Sequence, residues 1–279
     1  MSTIAEAIRR AAESLGETSD TARLDAELLM AFACQCSRSE LLLRKMRDNV
    51  PAGYDAFVRR RMAHEPVAYI TGFQEFYGRS FRVTPDVLIP RGDSETIVAA
   101  ALEAKPKGAR VLDCGVGSGA LLVSYLLEAE TGEGVGIDRS QAALQIAQDN
   151  ARRHGITPEQ GQFKLADWHR LDWTADLGTF DLIIANPPYV ETTAELGRSV
   201  RDYEPAGALF AGDDGLDDYR VLIPQLVELL RDDGAIVLEI GHRQDESVAQ
   251  LAHNSGFETK LFRDLAHRPR VLLLKLLPR

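Results

Sequence analysis

Cysteine is nearly absent. Cys34, Cys36 and Cys114 are the only three in 279 residues, too few for a disulfide framework, and the first two sit too close together in a helical pattern to bridge. The six histidines fall at no metal-ligand spacing, so no metal is expected. No run approaches the ~18 apolar residues of a membrane span. The opening MSTIAEAIRRAAESLG places charges between apolar residues at helical spacing, where a secretory signal would need an unbroken apolar core. A soluble, unexported protein of the cytoplasm is expected. An excess of positive charge is lacking too: 32 Lys and Arg stand against 42 Asp and Glu, a net charge of -10. Such a chain has no general attraction for phosphate backbones, so nucleic acid and membrane are not expected as partners. There is no internal repeat and no low-complexity tract.

What is present is ordinary globular material, 45% hydrophobic and 27% charged with 12 Pro and 22 Gly, enough for one large domain or two smaller ones. Charge is unevenly spread. Residues 1–95 hold 13 basic and 14 acidic side chains, residues 96–279 hold 19 and 28. Between Arg38 and Arg61 seven bases face three acids, which reads as a solvated helical face.

Residues 2–64 repeat apolar positions at three- and four-residue intervals (Ile4, Ile8; Leu24, Leu28, Phe32; Tyr54, Phe57, Val58), broken at Gly16 to Asp20, at Ser37 and at Asn49 to Gly53. This predicts an all-α bundle over 1–72. The aromatic and β-branched stretch around Gly72 and Gly78 predicts a β-hairpin linker over 73–92. Residues 93–279 then alternate strand and helix: RVLDCG, GVGID, FKLAD, FDLIIANPP, a helix around Tyr219 to Leu230, GAIVLEIG, and finally GFETKLF and RPRVLLLKL. Seven strands with helices between them predict a mostly parallel α/β sheet. The last two are joined too closely for a crossover, so one strand runs antiparallel.

The first strand runs from Val111 through Asp113 into Gly115-Val116-Gly117-Ser118-Gly119 and then a helix. Glycines here let the backbone turn sharply and let a ligand approach the main chain. The next strand ends at Asp138, where a carboxylate meets the ribose of an adenosine ligand. With Ala120 in the last position the stretch also fits the dinucleotide fingerprint, so the glycines alone admit a nicotinamide dinucleotide or S-adenosylmethionine. Asp113 favours the latter, since it can accept from a methionine-like amino group and would repel a pyrophosphate.

The fourth strand leads directly into Asn186-Pro187-Pro188-Tyr189. Two prolines end the strand in a rigid turn with unpaired carbonyls, Asn186 adds an acceptor oxygen, and Tyr189 adds a flat face. An acceptor pair beside an aromatic plate suits a planar NH2 group. Accepting both N–H bonds of an amide would raise the electron density of its nitrogen, so Asn186, Pro187 and Tyr189 are the candidate catalytic residues, and Asn186 to Tyr189, Pro188 included, the candidate substrate site.

With Glu65-Pro66-Val67-Ala68-Tyr69-Ile70-Thr71-Gly72, Leu88-Ile89-Pro90-Arg91, Asp167-Trp168, Tyr203-Glu204-Pro205, Glu239-Ile240-Gly241 and Arg263-Asp264-Leu265 added, the chain resembles the class I S-adenosylmethionine-dependent methyltransferases. Within them it is similar to the glutamine methyltransferases of peptide chain release factors. The resemblance implies a Rossmann-like catalytic domain and S-adenosylmethionine as cofactor. It implies methyl transfer to the side-chain nitrogen of the glutamine in a Gly-Gly-Gln loop of a release factor; the helical domain is expected to recognise that partner, and the chain is expected to be a monomer. The resemblance assigns Gly115 to Gly119, Asp138, Trp168 and Asn186 to the cofactor, with Trp168 beside the adenine; Asp113 joins them from its place before the first glycine, and Arg91, Glu95 and Asp167 are further candidates. The chain departs from the family pattern at Gly92, where proline is common, at Ser94, where threonine is, and at Cys114 and Val116.

Two smaller expectations follow. Arg91-Gly92-Asp93 begins a helix with Asp93 or Ser94 as its cap, and His169 is a polar loop residue, since amide methylation needs no prior base. The tetrad also occurs in adenine-N6 methyltransferases of DNA or RNA, the alternative reading. The acidic balance of residues 96–279 and the lack of a basic stripe speak against it. An intact NH2 clamp speaks against a non-catalytic scaffold, and the missing acid-base partner against a dehydrogenase.

Overall fold

A computed structural model describes residues 2–105, 107–130 and 132–277. It divides into two compact units, residues 1–73 with 196–204, and residues 74–195 with 205–279. No helix among the described residues is long and apolar enough to cross a membrane.

The first unit packs helices Ile4–Leu15, Ala22–Ala33, Tyr54–Met62 and the short Val67–Thr71. Thr3 caps the first: its Oγ accepts from the Glu6 N–H while Glu6 accepts from the Thr3 N–H at 3.0 Å. Ile4, Ile8, Leu15, Leu29, Met30 and Tyr54 lie in its core; of the positions the helical spacing picked out, Ile4, Ile8, Tyr54 and Val58 are buried, while Leu24 and Phe32 are exposed. The basic run differs from expectation at Arg61. That side chain is buried and donates to Asp25 at 2.7 Å, because it lies on the same inward face of its helix as Tyr54 and Val58. Arg61 also donates to Ser199 and Tyr203 to the Ala63 carbonyl, which is how residues 196–204 join this unit.

A hairpin follows, β1 Phe73–Phe76 and β2 Arg79–Arg82, all of it from Gln74 onward in the second unit. Tyr77 and Gly78 between them both have positive φ, the two-residue turn whose twist matches that of the strands. Then come β3 Ala109–Cys114, β4 Gly132–Asp138, β5 Gly161–Leu165, β6 Phe180–Ala185, β7 Leu230–Glu239, β8 Phe257–Arg263 and β9 Pro269–Leu276. Among the described residues these form one seven-stranded sheet in the order β5-β4-β3-β6-β7-β9-β8. All neighbours are parallel except β9, which is antiparallel to β7 and β8. Apolar residues alternate along β3 and β6 between the two faces: Val111 and Ile184 enter the layer under helices Glu95–Ala104, Ala120–Ala129 and Gln141–Arg153. Leu112 and Ile183 enter the layer under Asp217–Gln225 and Asp245–Asn254. Both faces are covered, as a parallel sheet requires.

The chain order reverses between β3 and β6, and ligands of open α/β sheets bind beyond the carboxyl ends of strands at such a point. One boundary departs from the sequence reading. The helix expected to reach Leu230 ends at Gln225 and β7 begins at Leu230. Leu226, Leu229 and Leu230 are all buried, and an apolar run buried on all sides carries no period to distinguish helix from strand.

Candidate active site

Cys114 of β3 pairs with Ile137 of β4 on one side and with Ala185 of β6 on the other. The glycine turn, Asp138 and the tetrad therefore leave the sheet side by side. They open into a cavity of about 330 Å³ lined by Gly115 to Ser118, Asp138, Arg139, Trp168, Asn186 and Pro188, with Arg91 and Ser94 at its wall. That volume lies within the ~300–1,000 Å³ of small-molecule sites.

The turn is built by backbone bonds. Gly115 and Val116 both donate to the Ile137 carbonyl, at 2.9 and 2.8 Å, and Gly119 donates to Val116. Gly117 donates to Asp138 Oδ2 at 3.0 Å, while Oδ1 accepts from Ser140. Gly115 has φ +79, and a Cβ there would stand 3.3 Å from the Trp168 ring; the missing side chain keeps a slot open between the turn and the indole. With four of the five turn N–H groups committed inside the protein, little remains to cradle a pyrophosphate, and the choice between the two ligand classes left open by the glycines goes against the dinucleotide. An adenosine with a cationic tail suits this lining: Trp168 is a flat wall for the base, and each Asp138 oxygen keeps a lone pair for a ribose hydroxyl. Burial pushes the Asp138 carboxyl above its ordinary range, while the Ser140 and Gly117 N–H groups draw it back.

Trp168 is itself fixed. Its Nε1 donates to Asp218 Oδ1 at 2.8 Å, and His169 Nε2 lies 2.9 Å from the same oxygen. His169 is thus a loop residue with a specific partner. Asn150, unremarked in the sequence, is fully buried and donates to the Ser118 carbonyl and to that of Arg82, accepting from the Arg82 N–H in return. One amide pins the cofactor turn to the hairpin.

Several expected residues lie elsewhere. Asp113 is fully buried and outside the cavity wall, because strand alternation puts it with Val111 on the face under helix Ala120–Ala129. Burial pushes its carboxyl up to about 8, against the pull of the Leu122 N–H. Gly119 closes the turn behind the wall, where a Cβ would meet Ala147 at 3.3 Å. Glu95 accepts from the Tyr77 N–H at 2.8 Å and holds the hairpin turn; Asp167 accepts from the His169 N–H. Neither of the expected caps acts as one. Ser94 occupies the cap position of helix Glu95–Ala104 without a side-chain cap bond, its hydroxyl facing Asn186 at 3.5 Å, and Asp93 pairs with Arg270 at 3.0 Å.

In the tetrad, Asn186 and Pro188 reach the cavity and Pro187 is buried. The Tyr189 carbonyl accepts from Gln244, and its hydroxyl donates to Glu239 Oε1 at 3.1 Å. Burial beside that carboxylate pushes the phenol far above its usual range. The site thus offers an adenosine-sized cavity with the Asn186 amide in its lining; Pro187 and Tyr189 lie outside that lining, the Tyr189 ring anchored through Glu239. No cluster of acids, histidines and cysteines suited to a metal occurs among the described residues.

Comparison with known proteins identifies two regions of the chain. Residues 6–72 match the family described as PrmC N-terminal domain, and residues 105–259 match a methyltransferase domain. A release factor glutamine methyltransferase of Moorella thermoacetica is 40% identical over 283 residues, covering 97% of this chain and 96% of its own. One from Coxiella burnetii is 34% identical, covering 99% of each. Among solved structures, a methyltransferase from Pyrococcus furiosus superimposes with a TM-score of 0.52 at 15% identity, over 80% of this chain and 98% of that one, a likeness of fold alone.

Proposed function

The chain belongs to the release factor glutamine methyltransferase family, and from that premise we propose that its cavity binds S-adenosylmethionine and that its tetrad presents the glutamine side chain of a release factor for methylation. The observation that carries the reading is the pairing of Cys114 with Ala185, which brings the glycine turn and Asn186 out of the sheet next to each other into one cavity.

S-adenosylmethionine supplies an electrophilic methyl group when bound. The chain's own residues do the rest. Asp138 accepts from the ribose, Trp168 covers the base, and Gly115 to Ser118 shape the passage between them. An amide nitrogen is a poor nucleophile because its lone pair is delocalised into the carbonyl. Asn186 Oδ1 and the Pro187 carbonyl, to which nothing donates among the described residues, accept its two N–H bonds and return electron density to nitrogen. Tyr189 lies against the amide plane. Holding the nitrogen in place removes much of the entropic part of the barrier. No base acts beforehand, because the nitrogen loses its proton readily once alkylated. The bundle of residues 1–73 with 196–204 serves release-factor recognition, and the acidity of residues 96–279 favours a protein acceptor over nucleic acid.

The test is direct. The protein is incubated with isotope-labelled S-adenosylmethionine and either a release factor or duplex DNA, and the label is located by mass spectrometry. Label on the glutamine of the release factor is expected; label on adenine would overturn the assignment. Asn186→Ala should abolish transfer while retaining most cofactor affinity, and full turnover in that variant would remove the clamp.

A further inference from the structure

Trp168 stands in residues 166–179, a connection of turns without helix or strand between β5 and β6. No helical or strand ladder fixes the direction of its ring. That direction matters because the slot beside it is narrow: one added Cβ at Gly115 would meet the indole at 3.3 Å. A ring tilted toward the glycine turn closes the slot.

What holds the ring comes from helix Asp217–Gln225. Asp218 and Gln225 lie two turns apart and so share one face of it. Asp218, 6% exposed, accepts from Trp168 Nε1 on Oδ1 at 2.8 Å, and His169 Nε2 stands 2.9 Å from the same oxygen. Gln225 takes the connection at two further points. Its Nε2 donates to the Trp168 carbonyl at 3.1 Å, and its Oε1 accepts from Trp173 Nε1 at 2.6 Å. One helix thus grips the ring and the main chain of Trp168 together, although neither Asp218 nor Gln225 is among the residues lining the cavity.

An indole has a single N–H to donate and nothing to accept with. Trp168 is 8% exposed, so without Asp218 that N–H is stranded in the interior, and a buried donor left unpaired is costly. The ring recovers a partner only by turning toward solvent in the cavity, which moves it into the space of the base. A cofactor then has to drive it back, and the cost falls on affinity rather than on methyl transfer.

We propose that Asp218, seconded by Gln225, is a positioning residue that aims Trp168 and thereby sets the affinity for S-adenosylmethionine. The proposal rests on the reading of Trp168 as the wall for the base. What Asp218 contributes is an acceptor oxygen in a fixed place. Both contacts fall on Oδ1, so asparagine, which keeps one oxygen, preserves the function, and leucine, of similar size, removes it.

Asp218→Leu is expected to raise the calorimetric dissociation constant for S-adenosylmethionine about 10- to 100-fold, the scale of stranding one buried donor. Its kcat on a release factor at saturating cofactor should stay within about twofold of the parent. Asp218→Asn should bind within about threefold of the parent, because the accepting oxygen is retained. In Trp168→Phe, whose ring has no N–H, adding Asp218→Leu should cost less than about threefold, since the interaction it breaks is already gone. The chain has two tryptophans, so protein labelled with 5-fluorotryptophan gives two fluorine resonances. In ligand-free Asp218→Leu that of Trp168 should move while that of Trp173 stays, a signature that a mere loss of stability does not produce. Parent affinity in Asp218→Leu overturns the proposal, as does an Asn variant as weak as the Leu one, a full loss repeated in the Trp168→Phe background, or an unmoved Trp168 resonance. If Asp218→Leu fails to fold, Gln225→Leu decides: weakened cofactor binding with parent kcat supports the proposal, and parent affinity overturns it. A weak Trp168→Ala beside an unchanged Asp218→Leu would sink the positioning alone; parent affinity in Trp168→Ala would sink the wall on which it stands.

Discussion

Asp113 stands directly before the glycine turn, where its carboxylate suggests a ligand contact, yet the fold buries it under a helix with its pKa raised. An acid whose folded pKa is about 8 against an ordinary 3.8 holds a proton in the folded state that the unfolded chain has lost. Stability contributed at that site is therefore full below the lower value and is lost as pH rises through the window, levelling off above the upper one. Asp113→Asn carries the neutral shape without titrating. Its urea midpoint relative to the parent should rise steadily between about pH 4 and pH 8; a constant difference across that range would show that Asp113 is ionised in the fold. Asp138 is legible from position alone as the acid that ends the second strand, but its second task is not. It also anchors the Gly117 and Ser140 N–H groups, so Asp138→Ala should weaken S-adenosylmethionine binding by at least about 1.5–3 kcal/mol, the scale for hydrogen bonds to a charged group. Unchanged affinity by calorimetry would take the residue out of the site.

At the scale of elements, what could be read ahead was whatever has a period or a turn signal: the helical spacing of Ile4 and Ile8, the alternation along β3, the tight connection that turns β9 antiparallel. These are local facts, and local physics dictates them. What could not be read were single side chains that tie distant elements together. Asn150 lies 68 residues from Arg82, and Arg61 lies 36 from Asp25; within its own helix each looks like an ordinary polar position. Arg61 shows how much rides on such contacts. Both it and Asp25 are less than a tenth exposed, and removing one partner leaves the other charge buried alone, a loss of about 3–5 kcal/mol. Asp25→Ala should lower the bundle's stability by that amount in urea melts followed by hydrogen exchange. A change below about 1 kcal/mol, the worth of an exposed pair, would mean that water reaches Arg61.

For the whole molecule, the first unit is expected to govern the choice of acceptor and the second to hold the cofactor. Deleting residues 1–75 should leave S-adenosylmethionine binding near the parent value in calorimetry and cripple methylation of a release factor. Equal turnover by the truncated enzyme would refute a recognition role for the bundle. The deletion also strips residues 196–204 of their partners, so that segment should become more accessible to protease.

That same segment sets a condition on how the protein is made. Ser199 follows Arg61 by 138 residues and Tyr203 follows Ala63 by 140, so the bundle, although encoded first, cannot be completed on the ribosome until the strand carrying the tetrad has emerged. Nor is it a transferable module when cut at residue 73. A chimera that exchanges the leading residues between two such enzymes must carry the later segment along, or it joins a new bundle to the wrong final piece.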